Sequence, residues 1–139
     1  IVLLLLPNIN WMIQNHPHQN IYFNLLGKKN FNQNFEMDYW GLSNKQALEF
    51  LLKINQKDLS VMTLSTADLN LSKKIFKKND RDRINVVYKL GQADYLIDTH
   101  YSWKGESINA NILNEYDLLY EIKIDEMPVN SIYKKKGLE

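Results

Sequence analysis

Residues 43–65 read SNKQALEFLLKINQKDLSVMTLS, and the change of period inside them decides the fold. Ser43 followed by Gln46 has the capping-box pattern, in which each side chain satisfies a free backbone N–H at a helix start. Ala47, Leu48, Leu51, Leu52 and Asn55 recur at helical spacing, so a helix is predicted over 43–56. Val61, Met62 and Leu64 then predict a strand over 60–65, from side chains that suit a pleated, half-buried surface.

Outward from this unit the alternation continues. A second helix is predicted over 68–78, with Leu71, Ile75 and Phe76 on one face. Strands are predicted over 84–88 and 93–101, separated by a break at Gln92. Residues 102–115 read as a polar loop with room for one helical turn. Two further strands, 116–124 and 129–135, flank a short loop at 125–128 and read as a hairpin. On the N-terminal side, Asn8 to Asn15 suits a short helix, Ile21-Tyr22-Phe23 a short strand, and Gly27 to Asn34 a polar loop. Strands alternating with helices argue for an α/β layer fold. The expected architecture is a mixed sheet of about five or six strands, with two main helices packed on it and a C-terminal β-hairpin.

Length and composition narrow the function classes. The chain has 139 residues, which suits one domain with its own core. A net charge of +1 lacks the basic excess of a nucleic-acid binder, so no nucleic-acid partner is expected. There is no Cys, hence no disulfide and no thiolate chemistry. Asn occurs 17 times and Arg twice, a bias that an AT-rich coding sequence explains; the Asn residues are dispersed, which excludes a prion-like tract. Gly27, Gly41, Gly91, Gly105 and Gly137 are too scattered for a phosphate-binding loop.

Ile1 to Leu6 are six apolar residues before Pro7, far short of the ~20 that span a bilayer. They read either as a buried start of the domain or as the end of a transmembrane helix. Gly137-Leu138-Glu139 reads as a tag remnant outside the fold, and both ends suit a piece of a longer protein.

Four constellations could carry chemistry. Asp98, His100 and Ser102 alternate, but neighbours two apart on a strand sit about 6.6 Å from each other, too far for a nucleophile and base at about 3 Å. His16 and His18, even with Asp98 and His100, are separated by Pro17 and by sequence, so surface or capping histidines fit better than a metal site. Lys73, Lys74, Lys77, Lys78, Arg81 and Arg83 suit a solvated helix face at a C-terminus more than an anion patch, since Asp80 and Asp82 interrupt them. The fourth is the aromatic and amide-rich stretch from His16 to Leu42. It reads either as a packed arm, with Tyr22, Phe23, Tyr39 and Trp40 in the core, or as a polar–aromatic cleft for sugars or head groups. In the packed arm Trp40 anchors the entry to the helix. In the cleft the binding residues are His16, His18, Tyr22, Asn24, Asp38 and Tyr39. Asp38 itself suits either bracing of the helix start or an acceptor hydroxyl.

At these residues a family resemblance appears. H-P-x-Q-x-x-Y-F-N over 16–24 and E-x-D-Y-W-G-L-S over 36–43 resemble the C-terminal soluble part of multi-spanning bacterial glycosyltransferases, the relatives of protein O-mannosyltransferases and lipid A aminoarabinose transferases. Ala93 to Ile97 and Ile132-Tyr133-Lys134 are similar to the same tail, and His18 stands where that family would carry an aromatic. The resemblance implies a parent enzyme that takes a sugar from a polyprenyl-phosphate donor. It implies a non-catalytic domain on the extracytoplasmic face, partnered by the membrane module of the same polypeptide and covering its active site. A lipid-linked sugar or glycan acceptor is the implied ligand, with no cofactor and no metal. The alternative is a stand-alone α/β binding or interaction module.

Overall fold

A computed structural model describes residues 2–21, 38–100 and 110–138. Contacts divide the chain into two compact units, Ile1–Phe35 and Glu36–Glu139.

In the first unit, α1 spans Val2–Gln14 and is followed by a 3-10 turn at Gln19–Ile21. The apolar start and the Asn8 to Asn15 stretch thus form one helix, which continues through Pro7. A proline costs a helix its own N–H bond and crowds the preceding turn, yet the helix runs on for seven more residues. Ile21 belongs to the 3-10 turn, not to a strand; Tyr22, Phe23 and Gly27 to Asn34 lie outside the described residues. Among the described residues no helix is long and apolar enough to cross a membrane.

The second unit is an α/β layer built on a five-stranded mixed sheet. Its elements are α2 (Ser43–Ile54), β1 (Leu59–Thr63), α3 (Leu69–Lys73), α4 (Lys78–Arg83), β2 (Ile84–Val86), β3 (Tyr95–Asp98), α5 (Ala110–Glu115), β4 (Tyr116–Ile124) and β5 (Met127–Lys135). Strand order is β2-β1-β3-β5-β4. β1 runs parallel to β2 and β3, whereas β5 is antiparallel to both β3 and β4.

Alternation along the central strands gives the sheet two covered faces. Tyr95 and Ile97 join Val61, Ile132, Ala47, Leu48 and Leu51 in the core beneath α2. Leu96, between them in sequence, points the other way and packs with Ala93, Tyr116 and Tyr133. Asn55 ends α2, and its side chain ties the helix to the sheet by accepting the Tyr95 hydroxyl at 2.8 Å. Leu138, expected outside the fold, packs against the α2 core.

Three local expectations change. The helix predicted over 68–78 breaks into α3 and α4, and Leu71 and Ile75 are exposed. After α3 the Lys74, Ile75 and Phe76 N–H groups each donate to the carbonyl three residues back, so the chain leaves the 3.6 period on which the apolar stripe was read. The capping box is absent as such: Ser43 is the first helical residue, and Leu42 caps it without a side-chain bond. The hairpin loop is tighter than 125–128. Asp125 and Glu126 form a two-residue turn with φ of 48° and 66°, the conformation that matches strand twist, and β5 resumes at Met127.

Candidate functional site

The turn from Asp38 to Ser43 is the most strongly determined part of the stretch singled out in the sequence. Asp38 is fully buried, and its carboxylate does the capping that Ser43 and Gln46 were expected to do. Oδ1 accepts the Leu42 N–H at 2.7 Å and Oδ2 the Ser43 N–H at 2.8 Å; the Ser43 hydroxyl also donates to Oδ2. The Asn130 amide of β5 donates to Ser43 Oγ at 2.8 Å and to Asn44 Oδ1 at 3.3 Å. A buried chain of polar groups therefore runs from the middle of β5 through Ser43 to Asp38. Gly41 completes the lock, with φ of +64° and a would-be Cβ only 2.5 Å from Ala67 Cβ. No other residue fits there without displacing its neighbours.

This rigid turn holds two aromatic rings outward. Trp40 is 75% exposed and Tyr39 is 44% exposed, with ring centroids 4.9 Å apart and planes at 81°. Trp40 is therefore not the buried anchor of the packed-arm reading, and neither ring belongs to the core. The physical reason is that the buried carboxylate and Gly41 fix the helix entry themselves, leaving the indole no packing role. Leu42 is exposed on the same turn.

In the first unit the H-x-H residues have different surroundings. His16 is exposed, and its Nδ1 lies 2.7 Å from Gln19 Nε2, across a cis His16–Pro17 peptide bond. His18 is buried. One imidazole in solvent and one inside do not present a shared ligand pair. Tyr22 and Asn24 lie outside the described residues.

A second polar cluster sits at the carboxyl end of β3, on the sheet face away from α2. Asp98 pairs in register with Ser131, and Ser131 with Glu121, so the three side chains form a row across three strands. His100 has φ of 57°, which turns its ring back over that row. Its Nε2 lies 3.0 Å from Ser131 Oγ, and its Nδ1 lies 3.7 Å from Asp98 Oδ2. Asp98 Oδ1 accepts the His100 N–H at 2.9 Å, and Ser65 Oγ accepts the Thr99 N–H at 2.7 Å. Burial, then the Asp98 and Glu121 charges, push the Tyr133 phenol above its ordinary pKa, against a lowering bond from Ser131.

The wiring of carboxylate to Nδ1 and hydroxyl to Nε2 is that of a serine hydrolase, with Ser131 in place of the Ser102 considered from sequence. The surroundings argue otherwise. Ser131 is completely buried in mid-strand, and Glu121 Oε1 is a rival acceptor at 3.4 Å. A substrate carbonyl reaches Ser131 only if the imidazole that would activate it moves away. The cluster thus acts as a polar latch that ties the end of β3 to β5. Ser102 lies outside the described residues. The sequence reading missed Ser131, Glu121 and Asn130; the signal was the pair Asn130-Ser131 inside the apolar run of β5.

Half of the basic cluster is engaged within the chain. Lys73 donates to the Ile84 carbonyl and Arg83 to those of Asn55 and Lys57, while Lys78 pairs with Asp82 at 3.0 Å. Among the described residues no three His, Asp or Glu side chains converge to hold a metal. No protein-family model matches the chain, and comparisons with curated proteins and with solved structures give no match.

Proposed function

We propose that this chain is the extracytoplasmic domain of a multi-spanning glycosyltransferase that draws on a polyprenyl-phosphate sugar. In this reading it performs no chemistry itself; it covers the membrane site of the same polypeptide and helps hold a glycan acceptor. The observation that carries the reading is the turn formed by the D-Y-W-G-L-S stretch. A buried carboxylate with three donors and a glycine without room for a side chain hold Tyr39 and Trp40 out in solvent. Exposed aromatic faces carry negative charge density that attracts the polarised C–H groups of a sugar ring. The contact residues on this reading are Tyr39 and Trp40, with Asp38 acting through the turn it braces.

Titration with soluble oligosaccharides, followed by the indole N–H resonances, tests the reading. A saturable shift of the Trp40 signal that Tyr39→Ala weakens is expected, together with no sugar transfer from polyprenyl-phosphate donors. Turnover by the chain alone overturns the accessory role. Failure of every glycan to move the Trp40 signal overturns the acceptor role. A gene that encodes no membrane spans upstream of this segment removes the transferase context.

A further inference from the structure

Residues 71–83, LSKKIFKKNDRDR, hold six cations and two acids, a local charge of +4 in a chain whose net charge is +1. The rest of the chain is therefore negative by three, and the positive charge is concentrated at α3 and α4. The segment has an inner and an outer side. Lys73 donates to the Ile84 carbonyl and Phe76 packs against the α2 core, so these two point inward. Leu71, Lys74, Ile75 and Lys77, interleaved with them, are exposed, Leu71 by 62% and Ile75 by 63%. Tyr88 is 76% exposed, and its hydroxyl accepts the Asn70 amide at 2.8 Å, which ties the ring to α3. Both acids are already matched, Asp82 by Lys78 at 3.0 Å and Asp80 by Arg83 at 3.8 Å. Lys74, Lys77 and Arg81 have no side-chain partner among the described residues. A solvated helix face turns its cations outward but not its aliphatics, so the exposure of Leu71 and Ile75 sets this surface apart from one.

We infer that this surface docks on an anionic lipid bilayer, with Leu71, Ile75 and Tyr88 in the interfacial zone and Lys74, Lys77 and Arg81 on the head-group phosphates. Unpaired cations select a negative partner. Aliphatic side chains standing among them select one with an apolar layer just beneath its charge, and a bilayer has both in that order. The lysine stems lie along the same boundary while their charged heads stay in water, and Tyr88 suits it with an apolar ring and a polar tip. A nucleic acid offers the charge without the apolar layer, and the basic excess of its usual binders is missing at +1. A protein partner needs a shaped hollow for each protruding side chain, whereas a fluid acyl boundary accepts them as they stand. The inference goes beyond the transferase reading and does not depend on it.

The test is partition of the full chain onto vesicles of pure phosphatidylcholine and of phosphatidylcholine mixed equally with phosphatidylglycerol. The readout is the gain from the anionic lipid, which exposed apolar residues elsewhere in the chain do not supply. At about fivefold per cation near the surface, Lys74, Lys77 and Arg81 give a gain on the order of 100-fold at low salt. The gain is lost at 1 M salt, where charges are screened beyond about 3 Å. Lys74→Gln with Lys77→Gln lowers it about 30-fold. Lys45→Gln with Lys123→Gln, the same charge change at two exposed lysines outside the patch, retains most of it. Leu71→Ser with Ile75→Ser weakens binding to the mixed vesicles at least ~10-fold, from the lost apolar burial. All these side chains are exposed, and an unchanged circular dichroism melt shows that each variant folds. No gain from phosphatidylglycerol overturns the inference, as does an equal loss in the Lys45/Lys123 variant. Full binding by the Leu71/Ile75 variant reduces the surface to a phosphate-attracting patch and overturns the docking. Tighter binding to an oligonucleotide, lost with Lys74 and Lys77, assigns the patch to nucleic acid instead.

Discussion

Asp38→Asn separates a carboxylate that holds the fold from one that holds a ligand. In the wild type the two oxygens accept two backbone N–H groups and one hydroxyl, all at a helix start. An Asn side chain keeps one acceptor oxygen and places an NH₂ donor where the other stood. If the oxygen stays with Leu42, the Ser43 N–H is buried without an acceptor, at a cost of about 1–3 kcal/mol. Loss of the negative charge at the N-terminus of α2 removes about 0.3–1 kcal/mol more. The remaining bond also weakens when its acceptor becomes neutral. Together these give a loss of about 3 kcal/mol. For a unit of this size each kcal/mol moves Tm by about 4–8 °C, so a drop of roughly 12–24 °C is expected. Urea and thermal melts by circular dichroism measure it. Trp40→Ala is the matched control two residues away on the same turn: with the ring 75% exposed, its cost should stay within about 0.5 kcal/mol. A stability change under about 0.5 kcal/mol for Asp38→Asn, or a large one for Trp40→Ala, would refute the bracing argument.

Four further outcomes follow from the geometry. Glu126→Gly should stabilise the second unit by about 1 kcal/mol, because it relieves a side chain at φ of 66°; a lower urea midpoint would contradict the turn. Gly41→Ala should cost at least about 1–2 kcal/mol from the left-handed backbone, with the contact to Ala67 added to that. Tyr95, Tyr116 and Tyr133 have phenols pushed upward, in each case mainly by burial. Their contribution to stability is complete below the unfolded-state pKa near 10 and is lost as pH rises through the higher folded values. An ultraviolet titration, with each tyrosine replaced in turn by Phe, should show these three phenols ionising late, and unfolding should begin with them. Finally, fluorophosphonate should leave Ser131 unlabelled, since His100 covers it, and Ser131→Ala should cost only about 1 kcal/mol; stoichiometric labelling would restore the hydrolase reading.

The α/β class, the α2 helix, the strands and the terminal hairpin are legible in the sequence because each rests on local periodicity. A 3.6-residue stripe from Ala47 to Leu52 and β-favouring runs at Val61, Tyr95 and Tyr133 report burial whatever surrounds them. The α3–α4 break escapes that logic. Leu71, Ile75 and Phe76 carry the spacing of a stripe, but α3 ends at Lys73 and i to i−3 bonds follow it, so Leu71 and Ile75 are left in solvent and no pattern of residue types records that.

The polar centres were decided by tertiary structure. Asp38 reaches Ser43 within one turn, so its bracing role is partly visible in its nearness to α2. Its extension to Asn130 spans 87 residues between Ser43 and Asn130, and it exists only because β5 passes beneath the helix start. Likewise the sequence brings Ser102 close to His100 along the chain, whereas the sheet register brings Ser131, by pairing it with Asp98. Local spacing determines which face a residue takes; strand order and register determine which distant residue it meets there. That is why the exposure of Trp40 and the burial of Ser131 could be read only from the folded chain.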